Sequence, residues 1–376
     1  MRADKKVISD EVSKEEVRRC VRCVMPENYP KVTFDAQGVC NFCRYFESTW
    51  GPWVASTKEQ ARSEAKLRHI FESAKRKRKP YDALVGISGG KDSSYMLYLC
   101  HKVYGLKVLA FTRDNGFMSD GSKARIERLV KTLGVQHLYC REPLAEELAG
   151  VFMRKTGNFC GPCELLSFNT HAVVAREYDI PLIIVGSSSR TEAPAPKYLN
   201  PWDPWYFKNV LKGEHYRERL RCSFFSSNYL ISEAVAHVLG RRRIVVLPEY
   251  IDWDEAKIFE LFEQEFGFVF GQEHSDCWAS DIARYLYRKK CNGVDPLVAK
   301  YSLLIRSGKM SRADATEKLS KIENNLPPPN LDRFLNTTGM TLQEFDAASE
   351  RSPTTYLTGL PLLFNALRRK VRRQVA

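Results

Sequence analysis

The chain has 376 residues, 44% of them apolar and 27% charged, so it can bury a full core and is too apolar to be disordered. Its net charge of +13 is compatible with an anionic substrate, an acidic partner or RNA. No apolar run approaches the ~20 residues of a membrane-spanning helix, and the charged start Met1-Arg2-Ala3-Asp4-Lys5-Lys6 lacks the apolar stretch of a secretory signal, so the expectation is a cytoplasmic protein without membrane insertion.

Eleven cysteines in such a chain point to metal or redox chemistry before disulfides. Four of them form two CxxC knuckles, Cys20-Val21-Arg22-Cys23 and Cys40-Asn41-Phe42-Cys43, sixteen residues apart. Each knuckle presents two thiolates from one turn, and two knuckles complete a tetrahedron. Residues 1–53 are therefore expected to form a zinc-ribbon-like module with a closed, structural Zn²⁺ site. Residues 54–80 are rich in Lys, Arg, Glu and Ala and include the run Lys75-Arg76-Lys77-Arg78-Lys79. They read as an exposed basic helical linker closed by Pro80. The basic run lacks interleaved aromatics, which favours a solvated face over a single-strand RNA surface.

From Tyr81, short apolar runs at 83–87, 107–112, 137–140, 181–186 and 243–247 alternate with helical stretches at 92–104, 121–134 and 164–178. This alternation predicts an α/β domain over 81–255, built on a doubly wound parallel sheet. The first run leads into Ser88-Gly89-Gly90-Lys91-Asp92-Ser93-Ser94. Gly89 and Gly90 allow a tight turn and close approach of backbone to ligand. The turn and the positive end of the next helix aim N–H groups at one spot, suited to a phosphate. Ser88, Ser93 and Ser94 add hydroxyls, Lys91 adds a positive charge, and Asp92 can orient the loop or hold Mg²⁺.

This strand–SGGKDS–helix pattern resembles the SGGxDS loop of the PP-loop ATP pyrophosphatases, which have a HUP-like fold. The resemblance implies cleavage of ATP between the α and β phosphates, adenylation of a substrate oxygen, and catalytic positions for Lys91, Asp92 and Ser93. Ligands of such sheets sit beyond the carboxyl ends of strands. Thr112-Arg113-Asp114-Asn115-Gly116-Phe117 and Ile184-Val185-Gly186-Ser187-Ser188-Ser189 follow two later strands. Thr112, Asn115 and Gly116 are expected on the nucleoside side, and Gly186 where the backbone closely approaches ATP. Ordinary turns are the alternative on spacing alone.

Residues 256–376 read as a helical C-terminal region, broken at Leu326-Pro327-Pro328-Pro329. The aromatic segment Asn200–Phe207 fits a substrate lid or a loop pinned by its tryptophans. His274, Asp276 and Cys277 read as a surface turn more readily than as a binding cluster. Arg306, Lys309 and Arg312 suit either a grip on a sugar-nucleotide diphosphate or a solvated helix end. His101 and His137 read as ordinary helix-end and strand-edge residues.

Further motifs narrow the family. Cys20-x-x-Cys23-Val24-Met25-Pro26, Phe34-Asp35 and Gly38-Val39-Cys40-Asn41-x-Cys43 resemble the opening of the N-acetyl sugar amidotransferases. Ser88 to Ser93 match their PP-loop, Asp114 to Phe117 resembles the next block, and Ser302 to Arg312 is similar to their late helix and turn. The resemblance implies conversion of an acetamido group on a nucleotide sugar to an acetamidino group, for surface polysaccharide. ATP would adenylate the amide oxygen and ammonia would displace AMP. The ammonia would come from separate glutamine amidotransferase subunits, and nothing in this chain looks like a glutaminase.

Cys160-Gly161-Pro162-Cys163 departs from that pattern. It resembles the tRNA-thiolating branch of PP-loop enzymes, in which a CxxC pair and a third cysteine hold a [4Fe–4S] cluster; here the third ligand would be Cys222 or Cys277. A low-pKa redox or persulfide pair and two buried small side chains are the alternatives. A sulfurtransferase acting on tRNA or a small molecule is thus the second enzymatic reading. A zinc-ribbon scaffold that binds RNA or nucleotide without catalysis is the third.

Overall fold

The computed structural model describes residues 17–192, 201, 204–216, 219–220, 223, 236, 238–270, 276–322 and 327–357. Cys222 and His274 lie outside the described residues, as does part of the aromatic segment at 200–207.

Five strands form the sheet: β1 (Ala83–Gly86), β2 (Val108–Asp114), β3 (Gln136–Arg141), β4 (Leu182–Val185) and β5 (Arg243–Val246). Their order is β3-β2-β1-β4-β5, and every pairing is parallel. The inner strands are unbroken apolar runs because both faces are covered. On one face Ala83, Val85, Val108, Ala110, Leu182, Ile184 and Val245 pack with Leu97, Ile126 and Phe262. On the other, Leu84, Leu109, Phe111 and Ile183 pack with Val174 and Ala175 of the helix Cys160–Glu177. Successive side chains point to opposite faces, so one short run feeds both cores. The sheet is doubly wound, as expected.

The chain starts at the central strand, winds outward through β2 to β3, then returns to β4 on the other side of β1. The order therefore reverses between β1 and β4, where a crevice opens beyond the strand ends. The turn after β1 lies there.

The expected exposed linker needs correction. The helix Thr57–Lys75 buries Leu67, Ile70, Phe71 and Ala74 in the main core. These positions fall at i, i+3, i+4 and i+7, a single apolar stripe hidden among many charges. The helix Leu144–Thr156 lacks an expected counterpart in the sequence reading. Beyond β5 the described elements are helices: Glu255–Phe266, Ser280–Lys290, Leu297–Arg306, Arg312–Ser320, Leu331–Thr338 and Leu342–Ser349, with short 3-10 turns at Leu247–Glu249 and Pro353–Tyr356. In the aromatic segment, the described part forms the helix Pro204–Val210, with Tyr206 and Phe207 buried beside Phe152. The tryptophans do not do the pinning: Trp205 is exposed, Trp202 lies outside the described residues, and Tyr206 and Phe207 are the buried anchors. Among the described residues, no helix is long and apolar enough to cross a membrane.

Candidate active site and metal centre

The turn after β1 is built around Gly89. Its φ is 76°, and a Cβ there would lie 2.4 Å from the Ser122 carbonyl oxygen. The hydroxyls of Ser88 and Ser93 stitch the loop. Ser93 Oγ accepts from the Ser88 N–H at 3.1 Å and donates to the Gly90 carbonyl at 3.1 Å, while Ser88 Oγ accepts from the Gly90 N–H at 3.3 Å. The helix Lys91–Tyr98 begins at Gly90 with no side-chain cap, the arrangement an anion completes. Ser94 is buried beneath the loop.

The segment after β5 buttresses the loop from the side. Trp253 Nε1 donates to Asp92 Oδ1 at 2.8 Å. Lys91 Nζ lies 2.7 Å from Asp92 Oδ2 and 3.6 Å from Glu255 Oε2, and Glu255 also pairs with Lys300 at 3.0 Å. From the helix Asp120–Leu133, Arg125 Nε donates to the Gly89 carbonyl at 2.7 Å. Its Nη2 is buried without a hydrogen-bond partner. Burial lowers the Arg125 pKa, and Asp276 opposes that shift. The Asp276 carboxylate carbon would lie 3.7 Å from a Cβ at Gly90. No sequence signal placed Arg125, Trp253, Glu255 or Asp276 at this loop. The loop after β5 had one available signal, since it too follows the carboxyl end of a sheet strand.

The two later loops reach the same edge of the sheet, with their side chains engaged inside the protein. Thr112 Oγ1 donates to the Ile87 carbonyl at 3.0 Å and meets His137 Nε2 at 2.8 Å. Asn115 Nδ2 donates to Cys163 Sγ at 2.9 Å, and its Oδ1 accepts from the Phe117 N–H at 3.0 Å. Gly116 has φ 82°, and a Cβ there would strike Glu146 at 2.2 Å. A Cβ at Gly186 would lie 3.2 Å from the Met96 sulfur. The loop after β4 is held by the N-terminal part of the chain: Trp50 Nε1 donates to Ser189 Oγ at 3.2 Å, and the Arg190 guanidinium stacks 4.1 Å over Trp53.

Cys160 and Cys163 open the helix Cys160–Glu177. An antiparallel bridge between Met118 and Cys277 brings Cys277 to the same side. Cys277 interacts electrostatically with Cys163 and Cys160. The expected surface turn at Asp276 and Cys277 is thus corrected: both residues are half-buried, with Asp276 beside the loop after β1 and Cys277 near the cysteine pair. Burial raises all three thiol pKa values, that of Cys277 to about 12. A low-pKa pair at Cys160 and Cys163 is therefore not what this environment produces.

The second constellation is more compact. Cys20, Cys23, Cys40 and Cys43 are buried, and their sulfurs all lie within 4.8 Å of one another. Cys20 and Cys43 are 3.9 Å apart, and Cys23 and Cys40 are 3.7 Å apart. Metal–sulfur bonds of about 2.3 Å in a tetrahedron put sulfurs about 3.8 Å apart, so the donor set fits a four-coordinate ion such as Zn²⁺. Among the described residues, no other group of three or more Cys, His, Asp or Glu side chains meets that spacing.

The late basic block makes contacts within the protein. Arg306 and Arg312 contact the four-cysteine module: Arg306 Nη1 lies 3.9 Å from Cys23 Sγ, and Arg312 Nε donates to the Cys23 carbonyl at 3.3 Å. Lys309 bonds Asp252 at 3.1 Å and Asp254 at 2.9 Å. Arg306 is half-buried, while Lys309 and Arg312 are exposed residues whose side chains are engaged by these partners.

Residues 268–358 match a family model described as LPS biosynthesis protein WbpG-like, C-terminal domain. This match fits the N-acetyl sugar amidotransferase resemblance, whose late block Ser302 to Arg312 lies within it. A glutamine-hydrolysing GMP synthase of Pyrobaculum aerophilum is 27% identical over 125 residues, covering 33% of this chain and 24% of the relative. One subunit of the glutamine-hydrolysing GMP synthase of Archaeoglobus fulgidus is 30% identical over 69 residues, covering 18% and 23%. The chain thus spans about a quarter of the length of the curated relatives it matches. Among solved structures, an NH3-dependent NAD synthetase from Campylobacter jejuni is similar over 71% of this chain and 99% of its own, with TM-score 0.30 and 15% identity. An NMN synthetase from Francisella tularensis gives 72%, 98%, 0.37 and 13%. The U34-tRNA thiolase NcsA from Methanococcus maripaludis, solved with its [4Fe-4S] cluster, gives 82%, 90%, 0.33 and 16%.

Proposed function

We propose that this chain is an ATP-dependent amidotransferase of the PP-loop class, acting in the cytoplasm on an acetamido nucleotide sugar. The observation that carries this reading is the SGGKDS loop itself. It ends the central strand at the topological switch point, and Gly89 holds a conformation and a close approach that only glycine tolerates. The WbpG-like match over 268–358 supports a lipopolysaccharide-directed substrate.

The chemistry follows from the groups present. An amide oxygen is a poor leaving group. Its attack on the α-phosphate of ATP forms a P–O bond and releases pyrophosphate. Ammonia then forms a C–N bond at the same carbon, the C–O bond breaks, AMP leaves, and the displaced proton goes to solvent. The protein mainly positions the reactants and neutralises charge. Lys91 and the loop N–H groups would face the phosphates. Asp92, whose Oδ1 accepts from Trp253, would hold Mg²⁺. Ammonia would arrive from separate glutamine amidotransferase subunits.

The test is incubation of the full chain with Mg-ATP, ammonium and a set of acetamido nucleotide sugars. AMP and pyrophosphate should form in step with a product in which NH replaces one oxygen. ATP cleavage that no acetamido sugar stimulates would overturn the substrate assignment. Arg125→Gln should weaken binding of ATP and pyrophosphate by about tenfold or more, because a hydrogen bond to a charged group is lost, and should leave AMP binding near wild type. Calorimetry with the three ligands checks this.

One observation favours a second reading, ATP-dependent sulfur transfer to tRNA or a small molecule. Cys277 packs against the same apolar cluster as Cys160 and interacts electrostatically with Cys163 and Cys160. These three residues would hold a [4Fe–4S] cluster, which supplies an iron site for sulfur. Iron and acid-labile sulfide after anaerobic purification, lost in Cys160→Ala, would favour this reading. RNA binding with a steep salt dependence and no ATP cleavage would instead favour a zinc-ribbon scaffold.

A further inference from the structure

Four thiolates around a divalent ion leave the four-cysteine centre doubly negative. That charge is buried, and a buried charge needs opposite charge and hydrogen-bond donors around it. The structure supplies both from residues almost three hundred positions away. The helix Leu297–Arg306 packs Val298, Ala299 and Ile305 into the same cluster as the four cysteines. On that face, Arg306 Nη1 lies 3.9 Å from Cys23 Sγ, and its Nε is buried with no hydrogen-bond partner. One turn earlier, at i−4 on the same helix, the fully buried Ser302 hydroxyl has no hydrogen-bond partner. Arg312 opens the next helix and directs its Nε to the Cys23 carbonyl at 3.3 Å and its Nη2 to the Cys20 carbonyl at 3.5 Å.

A guanidinium whose Nη1 reaches a sulfur while its Nε stays buried and unpartnered, one turn from an unpartnered buried hydroxyl, would be destabilising beside a neutral thiol, which accepts hydrogen bonds weakly. Both groups make physical sense beside a metal-bound thiolate. We propose that Arg306 and Ser302 are the outer partners of a metal–thiolate centre at Cys20, Cys23, Cys40 and Cys43, so that metal loading clasps the helix Leu297–Arg306 to the N-terminal module. The inference rests on the metal reading of the four cysteines and is independent of the reaction proposed above.

The test uses the full chain loaded with Zn²⁺ or Co²⁺. Transfer of zinc to a chromogenic chelator should run about tenfold or more faster in Arg306→Gln than in wild type, the usual scale for an outer partner of a metal ligand. Arg306→Lys, which keeps the charge and loses the fork, should fall between them. Ser302→Ala removes a single hydroxyl and should shift the cobalt–thiolate charge-transfer band while leaving the metal stoichiometry unchanged. It carries the test alone if Arg306→Gln does not fold. Wild-type release rates in Arg306→Gln, together with a wild-type cobalt spectrum in Ser302→Ala, would overturn the proposal. A wild-type chain that binds neither metal would overturn it at its premise.

Discussion

Gly89→Ala should lower ATP-dependent pyrophosphate release on the order of a hundredfold or more, the scale of a misplaced reacting group. An alanine at φ 76° is strained, and its Cβ would lie 2.4 Å from the Ser122 oxygen and 3.0 Å from the Ser122 carbonyl carbon and Cα. Those are backbone atoms, held in turn by the bond from the Ser119 N–H to the Asp276 carbonyl at 2.9 Å. Relief must come from the loop, which would carry Ser88, Ser93 and Lys91 away from the phosphates. Gly90→Ala is the control. There the nearest atoms to a Cβ are the Ser88 hydroxyl at 3.3 Å and the Asp276 carboxylate at 3.7 Å, side chains that can yield. Its rate should stay within about tenfold of wild type. Pyrophosphate release, with circular dichroism to confirm folding, distinguishes the two. Full activity in Gly89→Ala would remove the loop from the nucleotide site.

Cys40→Ser should abolish metal retention and lower the melting temperature by about 10 °C or more, since structural metal binding is folding free energy. The four cysteines share one buried cluster with Met25, Tyr29, Cys291, Val298 and Ala299, so loss of the ion loosens both the N-terminal module and the late helices. Cys140→Ser on the edge strand β3 is the matched control, because Cys140 is half-buried and outside the metal cluster. Scanning fluorimetry beside metal analysis reads both variants. A Cys40→Ser protein with full metal content and unchanged melting would show that the four sulfurs are ordinary core residues.

The parts legible in the sequence were those written locally. The five strands lie within two residues of the apolar runs that predicted them, and the glycine-rich turn lies where the strand–turn–helix pattern put it. The two CxxC knuckles close into one cluster because each knuckle is already a complete local device. What stayed hidden was long-range. Arg125, Trp253, Glu255 and Asp276 reach the loop from three separate segments, and no spacing rule links them to Gly89. Arg306 and Arg312 suit phosphate by their chemistry; only the fold shows that they contact the cysteine module. The stripe at Leu67, Ile70, Phe71 and Ala74 was masked by the charges around it, since mean composition averages away a single buried face.

The clasp between the cysteines and the late helix also bears on synthesis. A ribosome delivers residues 20–43 early, and those knuckles can take a metal as soon as they emerge. Ser302, Arg306 and Arg312 arrive only after the whole parallel sheet, whose central strand β1 must wait for β4 about a hundred residues later. On the proposal above, a nascent or truncated chain would hold its ion in an unfinished shell that lacks the Arg306 and Arg312 contacts. Tight metal retention would then require translation past Arg312, and a stalled chain would release its metal more readily.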